Sequence, residues 1–302
     1  MKTAFIGLGA MGYPMAGHLS QRFETLVWNR TAEKARQHAA EFKSQVLEDF
    51  SGLKDVDVIF TCLPTTSEVI QVLNQVLFFL KPGSLWVDCT SGDPVKSLDV
   101  AQTLAEHQVT YLDAPVSGGT AGAINGALSV MIGGPAESIE QVREVLSTFA
   151  GKVVHVGKVG SGHAVKAINN MLLAINLLSA GEGLVALAKM GVDLEAALEV
   201  INVSSGRSNA TQNLIPQRVL TREFPATFAL GLLAKDAGIA LDVSRSAGAP
   251  TPLFAITESL YRAARDTIGA SEDHTAVVKM LEHWAGVTLS SAPSAVFDRS
   301  SP

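Results

Sequence analysis

The sequence predicts an α/β N-terminal domain built on a parallel sheet, followed by an all-α C-terminal domain. Three observations predict this class. The first half alternates short β-like runs with helix-like stretches, a glycine cluster follows the first run, and strand patterns largely stop after Gly162. Such alternation is typical of βαβ units, whose strands pair in parallel. A chain of 302 residues, 47% of them hydrophobic, can also bury the cores of two domains.

The predicted elements follow one another in a regular order. The β-like runs are Thr3–Ile6, Thr25–Trp28, Val56–Leu63, Leu85–Cys89, Val109–Leu112, Leu128–Ile132 and Val153–Val156. The helix-like stretches of the first half are Thr31–Phe42, Thr66–Leu80, Pro94–His107 and Ala136–Phe149. Helical spacing of apolar residues then covers His163–Met190, Leu194–Val203, Leu230–Ala247 and Phe254–Arg265. We place the domain boundary in the Gly-rich stretch VGKVGSGHAVK, which gives domains 1–161 and 162–302, and expect a loose tail at SSAPSAVFDRSSP.

Composition excludes some classes of protein. The formal net charge is -6, and no run of Lys or Arg marks a basic patch, so nucleic acid is not expected as a partner. The longest apolar segment, Ala164–Met190, carries Lys166 and Glu182, and we interpret it as a buried helix of a soluble protein rather than a membrane span. Cys62 and Cys89 lack metal-ligand spacing. We therefore expect reduced core thiols, no metal and a cytoplasmic location.

The glycine cluster has the spacing of a dinucleotide-binding turn. In Gly7-x-Gly9-x-x-Gly12, the first glycine would permit a tight bend, the second a close approach to a pyrophosphate, and the third close packing of a helix on the sheet. The helix N-terminus would offer N–H groups and a positive dipole end to the anion. Because a strand precedes and a helix follows, we predict a Rossmann-type dinucleotide site rather than an ordinary tight turn. Its loop residues are Gly7, Leu8, Gly9, Ala10, Met11 and Gly12.

The end of the second β-like run predicts which dinucleotide binds. NAD-binding proteins usually place an Asp or Glu there for the ribose 2′-hydroxyl. This chain has Asn29, Arg30 and Thr31 instead. An arginine can bind a 2′-phosphate through paired hydrogen bonds, and a carboxylate that would repel the phosphate is missing. We therefore predict NADP(H) in preference to NAD(H), with a solvated surface charge as the alternative role of Arg30, and Thr31 as a helix N-cap.

Four motifs in order resemble one family over residue 1 to about residue 290. They are FIGLGAMGYPMA, the pair Leu63-Pro64, DAPVSGG and GSGHAVKAINN. The chain resembles the β-hydroxyacid dehydrogenases, which include 3-hydroxyisobutyrate dehydrogenase, tartronate semialdehyde reductase and the glyoxylate/succinic semialdehyde reductases. The resemblance implies a Rossmann-type domain joined through a long helix to a helical substrate and oligomerisation domain. It also implies a homodimer or homotetramer.

The resemblance assigns binding roles to particular residues. Leu63, Pro64 and Lys235 would contact the cofactor, together with Ser91, although Thr90 and Ser91 stand in the reverse of the family's usual Ser-Thr order. In the segment DAPVSGG, a hydroxyl and two unhindered N–H groups can bind a substrate carboxylate as an anion nest. The substrate residues implied are Ser117, Gly118, Gly119 and Phe228. A Gly-rich loop leaving a strand is the structural alternative.

The resemblance also implies a catalytic set. Lys166, Asn169 and Asn170 stand at i, i+3 and i+4 of the predicted helix and so share one face. Such polar groups are costly to bury without partners. Lys166 would be the general acid, Asn170 would hold the substrate or the lysine in line, and Asp236 would orient this network. His163 is expected to be structural or to lie near the cofactor.

The implied reaction is reversible hydride transfer between NADP(H) and a small carboxylate-bearing aldehyde or hydroxy acid. We favour a reductase of glyoxylate or succinic semialdehyde, with 3-hydroxyisobutyrate dehydrogenase as the alternative. An imine reductase is less favoured because those relatives generally lack the lysine. A non-catalytic NADP-binding interaction module is the alternative outside enzymes, and the presence of Lys166 and of the Ser-Gly-Gly loop counts against it.

Overall fold

The computed structural model describes residues 1–291, so most of the expected tail lies outside the described residues. The chain divides into two compact units, Met1–Lys166 and the residues from Ala167 onward. The sequence predicts the boundary after residue 161. The structure puts it after Lys166 because the helix that starts at Ser161 makes its first contacts within the first unit.

The first unit contains a sheet whose first six strands follow the order β3-β2-β1-β4-β5-β6 and run parallel. This is the doubly wound order of a Rossmann domain. Beyond β6 come β8, antiparallel to β6, then β7, with β9 parallel to β8. The strands described are β1 Lys2–Ile6, β2 Glu24–Trp28, β3 Gln45–Val46, β4 Val58–Thr61, β5 Leu85–Asp88, β6 Thr110–Asp113, β7 Val116–Ser117, β8 Leu128–Gly133 and β9 Ala150–Gly157. The predicted sheet is thus confirmed as mostly parallel.

Helices cover both faces of this sheet. Alternate residues of β1 enter different cores, with Phe5 on one face and Ile6 on the other, as the period of two in a strand requires. The α-helices are α1 Gly12–Ser20, α2 Ala32–Glu41, α3 Thr66–Val76, α4 Pro94–Glu106, α5 Gly119–Ile124 and α6 Ala136–Leu146. Short 3-10 helices cover Phe50–Asp55 and Leu77–Phe79.

The second unit is helical throughout its described residues, as predicted. Its α-helices are α7 Ser161–Lys189, which starts in the first unit, α8 Leu194–Asn202, α9 Leu230–Ser246, α10 Pro252–Ile268 and α11 Val277–Ala285. A π-helix covers Ala210–Leu220 and a 3-10 helix covers His274–Ala276. The π-helix contains Pro216, a residue that cannot donate an i→i−4 hydrogen bond. The core of this unit is built from Leu177, Leu233, Tyr261 and Val277, among others.

Helix α7 is the one helix among the described residues that is long and apolar enough to cross a membrane, judged by length and composition alone. The sequence predicts a buried helix here, and this prediction is only partly correct. In the most apolar window of α7, 39% of the residues are buried, and Val165 and Leu172 remain exposed. The reason is that one side of the helix packs on its neighbours while the other side keeps apolar residues at the surface.

Candidate active site

The glycine loop between β1 and α1 has the geometry that a bound pyrophosphate requires. Gly7 has φ +103°, and a Cβ there would collide with the carbonyl oxygen of Cys62. A Cβ on Gly12 would collide with the carbonyl of Gly7 and lie 3.0 Å from the ring of Phe5. A Cβ on Gly9 would meet nothing within 4 Å. The first and third glycines are therefore needed by the fold, whereas Gly9 borders open space that a phosphate can approach.

Asn29, at the end of β2, holds this loop in place. Its side-chain oxygen accepts the backbone N–H of Leu8 at 3.0 Å, and its side-chain nitrogen donates to the carbonyl of Thr31 at 3.1 Å. Arg30 and Thr31 are exposed beside it, as is Ala10 in the loop, while the Leu8 side chain is buried. Thr31 occupies the N-cap position of α2 as expected, but its side chain makes no capping hydrogen bond. The end of β2 thus offers a neutral amide and an exposed cation, and no carboxylate.

Leu63, Pro64 and Ser91 follow β4 and β5 at the carboxyl edge of the sheet, where ligands bind in folds of this type. The backbone N–H of Leu63 donates to the hydroxyl of Thr90 at 3.1 Å, and the N–H of Thr90 donates to Asp88 at 3.1 Å. Thr90 is buried and Ser91 is half-buried. The buried Thr90 hydroxyl therefore supports the Leu63 backbone.

The Ser-Gly-Gly loop lies where β7 ends and α5 begins. Ser117 is half-buried, and Gly118 and Gly119 are exposed with φ +133° and +63°. Such positive φ values favour glycine, which lacks a side chain that would cover the backbone N–H groups from an approaching anion. The described geometry therefore fits the carboxylate-binding role implied by the sequence.

Lys166, Asn169 and Asn170 lie on α7, but their surroundings differ. Lys166 is half-buried, Asn169 is exposed and Asn170 is buried. Within the second unit, the side-chain nitrogen of Asn170 donates to Asp236 at 2.6 Å, and the ammonium of Lys235 lies 3.1 Å from the same carboxylate. Asp236 is buried. The structure thus joins Asn170, Asp236 and Lys235 in one hydrogen-bonded group.

Phe228 stands just before α9. Its carbonyl accepts the backbone N–H of His274 at 2.8 Å, and the two rings lie 5.4 Å apart. Cys89 is buried and Cys62 is half-buried, and burial raises the pKa of Cys62 to about 12 and that of Cys89 well above its usual value. Residues 1–291 contain no group of three or more His, Cys, Asp or Glu side chains that could hold a metal ion.

Sequence reasoning missed Asp113 as a residue of interest. This buried carboxylate accepts the backbone N–H groups of Gly160 and His163 at the start of α7. The His163 ring is also buried, with Nδ1 2.7 Å from the hydroxyl of Ser97. The available signal was a carboxylate at the end of an apolar strand, four residues before Ser117.

Comparison with known proteins identifies the family. Residues 2–157 match a family model described as the NAD binding domain of 6-phosphogluconate dehydrogenase, and residues 160–281 match one described as NAD-binding of NADP-dependent 3-hydroxyisobutyrate dehydrogenase. The 2-(hydroxymethyl)glutarate dehydrogenase of Eubacterium barkeri is 37% identical over 299 residues, which cover 96% of this chain and 98% of the relative. This chain belongs to the β-hydroxyacid dehydrogenase family.

Two further β-hydroxyacid dehydrogenases support this assignment. Human mitochondrial 3-hydroxyisobutyrate dehydrogenase is 33% identical over 270 residues, 86% of this chain and 80% of the relative. The solved structure of Mycobacterium tuberculosis 3-hydroxyisobutyrate dehydrogenase with L-serine has a TM-score of 0.86 at 30% identity and covers 93% of this chain and 98% of its own.

Membership of the β-hydroxyacid dehydrogenase family confirms several sequence predictions. The predicted family and the predicted succession of a Rossmann-like domain and a helical domain are both confirmed. The protein is an NAD(P)-dependent oxidoreductase that acts on the CH–OH group of small hydroxy acids.

Proposed function

We propose that the protein is an NADP(H)-dependent reductase of a short aldehyde acid, with glyoxylate and succinic semialdehyde as the first substrates to test. The observation that carries the cofactor choice is the end of β2, where exposed Arg30 stands beside Asn29. The Asn29 amide is neutral and already bonded to the Leu8 N–H. A 2′-phosphate would therefore meet a guanidinium and no carboxylate. The match to the NADP-dependent family model supports the same choice.

When bound, the nicotinamide ring supplies the hydride. As hydride adds to the carbonyl carbon, negative charge develops on the carbonyl oxygen. The Lys166 ammonium stabilises that charge and donates the proton that completes the alcohol. In the oxidative direction the neutral Lys166 amine accepts the hydroxyl proton. The half-buried position of this side chain on α7 suits a proton donor that must also exchange protons with solvent.

The remaining residues orient the groups that react. Asp236 can only accept hydrogen bonds when ionised, so it fixes the Asn170 amide with its nitrogen toward the carboxylate. The Ser117 hydroxyl and the N–H groups of Gly118 and Gly119 bind the substrate carboxylate. Holding a substrate in a reactive geometry can contribute several orders of magnitude in rate.

A second candidate substrate class has support from the relatives. The names 3-hydroxyisobutyrate and 2-(hydroxymethyl)glutarate both denote acids with a hydroxymethyl group on the carbon that bears a carboxylate. Oxidation of such an acid, with 3-hydroxyisobutyrate first, is therefore the alternative. In both classes the reacting carbon carries a primary alcohol or an aldehyde, and a carboxylate anchors the molecule.

One panel of enzyme assays tests both substrate classes. Glyoxylate and succinic semialdehyde are assayed with NADPH and with NADH, while 3-hydroxyisobutyrate and 2-(hydroxymethyl)glutarate are assayed with NADP⁺ and NAD⁺, all by nicotinamide absorbance. We expect the highest kcat/KM for an aldehyde acid with NADPH. A higher value for a hydroxymethyl acid selects the alternative substrate class. Preference for NAD(H) over NADP(H) contradicts the role of Arg30, and inactivity of every pair rejects the proposed function.

A further inference from the structure

Asp113 is the last residue of β6, and its side chain is fully buried. One carboxylate oxygen accepts the backbone N–H of Gly160 at 2.8 Å, and the other accepts the N–H of His163 at 2.9 Å. These donors stand 47 and 50 residues further along the chain. A single carboxylate therefore attaches the first turn of α7 to the sheet.

The first turn of α7 has no ordinary cap of its own. A helix usually satisfies these two N–H groups with the side chain of the N-cap residue and with a Glu or Gln three residues later. Here the residue before the helix is Gly160, which has no side chain, and the residue three positions later is His163, whose ring faces Ser97. Asp113 makes both missing hydrogen bonds. Its negative charge also suits the positive end of the helix dipole.

The helix start fits closely against this carboxylate. A Cβ on Gly162 would lie 2.8 Å from both the backbone oxygen and one side-chain oxygen of Asp113, and a Cβ on Gly133 would lie 2.5 Å from the other side-chain oxygen. Neither position has room for a side chain. The start of α7 therefore packs directly against the end of β6.

Two predicted parts of the active site lie within a few residues of this attachment. Lys166 follows His163 by three residues, about one helical turn. Ser117 follows Asp113 by four residues, at the end of β7. We infer that Asp113 is a positioning residue, which fixes the lysine-bearing turn of α7 to the end of β6, the strand that leads into the Ser-Gly-Gly loop. This inference rests on the proposed function.

Two backbone donors explain why a carboxylate is suited to this position. Burial raises the pKa of Asp113 above its usual value, although the charge of the His163 imidazole and the N–H groups of His163 and Gly160 oppose the shift. An asparagine of the same shape keeps one oxygen but presents its NH₂ group to the second N–H. One hydrogen bond would then be replaced by a contact between two donors.

The test is Asp113→Asn in the full-length protein. We expect NADPH to bind with unchanged stoichiometry and a Kd within about threefold of the wild type. We expect kcat to fall by about a hundredfold, as an ångström-scale misplacement of a catalytic group can cause. The primary isotope effect on kcat with NADPH deuterated at C4 should be fully expressed, because hydride transfer becomes the slow step. If the asparagine variant is insoluble, Asp113→Ser, whose side chain is smaller and uncharged, replaces it. We expect the same NADPH binding and the same fall in kcat.

Asp193→Asn is the matched control. Asp193 accepts two N–H groups at the start of α8, at 2.9 and 3.2 Å, and that helix carries none of the predicted site residues. It should keep the wild-type kcat. A kcat of Asp113→Asn within twofold of the wild type overturns the inference, as does a fall in kcat that only matches a loss of NADPH-binding sites. Inactivity of the wild type on the whole panel is a different result, which rejects the proposed function and the role of Asp113 in turnover with it.

Discussion

The Asn170 amide donates to Asp236 across 2.6 Å, and both side chains are almost completely buried. The Lys235 ammonium lies 3.1 Å from the other oxygen of the same carboxylate. One buried anion is therefore paired with a cation and with an amide. Removing this anion leaves the buried Asn170 amide without the acceptor of its 2.6 Å hydrogen bond, which costs more than the hydrogen bond contributes when intact.

We expect Asp236→Ala to lower the free energy of unfolding by about 2 kcal/mol, because the buried Asn170 amide loses its acceptor. Urea denaturation measures this loss. Asp242→Ala is the control on the same helix, since Asp242 is exposed and pairs with Arg245 at 3.4 Å. It should cost less than about 0.5 kcal/mol. Equal losses for the two variants would mean that the buried group contributes no more than a surface ion pair.

Lys166→Ala should reduce kcat by about a thousandfold, because the developing alkoxide loses its proton donor. The Kd for NADPH, measured by fluorescence titration, should stay near the wild-type value. Lys189→Ala is the control at the far end of α7, where the lysine donates to the carbonyl of Ala285. It should leave kcat unchanged. A Lys166→Ala variant that retains most of its kcat would remove this lysine from the mechanism.

Arg30→Asp should weaken NADPH binding by about a hundredfold and NADH binding by only a few-fold, because only NADPH carries a 2′-phosphate for the charge to repel. Binding titrations with both nucleotides give the ratio. Arg22→Asp is the control: Arg22 is exposed and pairs with Glu144 at 3.1 Å. It should not change the ratio. A parallel loss of both cofactors in Arg30→Asp would refute contact with the 2′-phosphate.

The pattern of elements could be predicted from the sequence because it depends on short-range periodicity. Fully buried strands such as β4 appear as continuous apolar runs, and the alternation with helices gives the parallel sheet. Strands β3 and β7 were missed because two residues carry no period. The antiparallel pairing of β8 was missed because the direction of a strand at the sheet edge depends on its connections.

The site residues also divide into those that the sequence reveals and those that it does not. The glycine loop and the segment around Lys166 are visible as motifs in the sequence. Asp113 and Asn29 are not, because their roles depend on partners 47 and 21 residues away. Asn29 illustrates this difference. The sequence shows that position 29 has no carboxylate, and only the structure shows that the amide oxygen of Asn29 accepts the Leu8 N–H.

Asn29 should therefore behave differently from Arg30. In Asn29→Ala the Leu8 N–H loses its acceptor, so the glycine loop becomes less ordered and both NADPH and NADH should bind about tenfold more weakly. In Asn29→Asp the acceptor remains but carries a charge, so NADPH should lose affinity relative to NADH. Titration of both variants with both nucleotides separates loop support from charge. Identical Kd ratios in the two variants would contradict the distinction.

The buried side chain of His38 should make the free energy of unfolding depend on pH. This side chain is fully buried, with Nδ1 2.7 Å from the Ser44 hydroxyl and Nε2 3.1 Å from the carbonyl of Tyr13, a residue of α1. Burial lowers the pKa of His38, although the Tyr13 carbonyl and the Glu41 carboxylate oppose the shift. The unfolded chain therefore takes up a proton before the folded protein does as pH falls through the usual histidine range near 6.5.

The free energy of unfolding should consequently fall with acidification from about pH 7.5 to about pH 5.5, and His38→Gln should show a smaller fall, because glutamine does not titrate. Urea denaturation of both proteins at the two pH values gives the comparison, in which the other six histidines contribute equally. Because α1 begins at the glycine loop, acidification to about pH 5.5 should also weaken NADPH binding more in the wild type than in His38→Gln. If both proteins lose the same free energy on acidification, His38 takes up its proton equally in the folded and unfolded states, and the burial of its ring does not control the acid response.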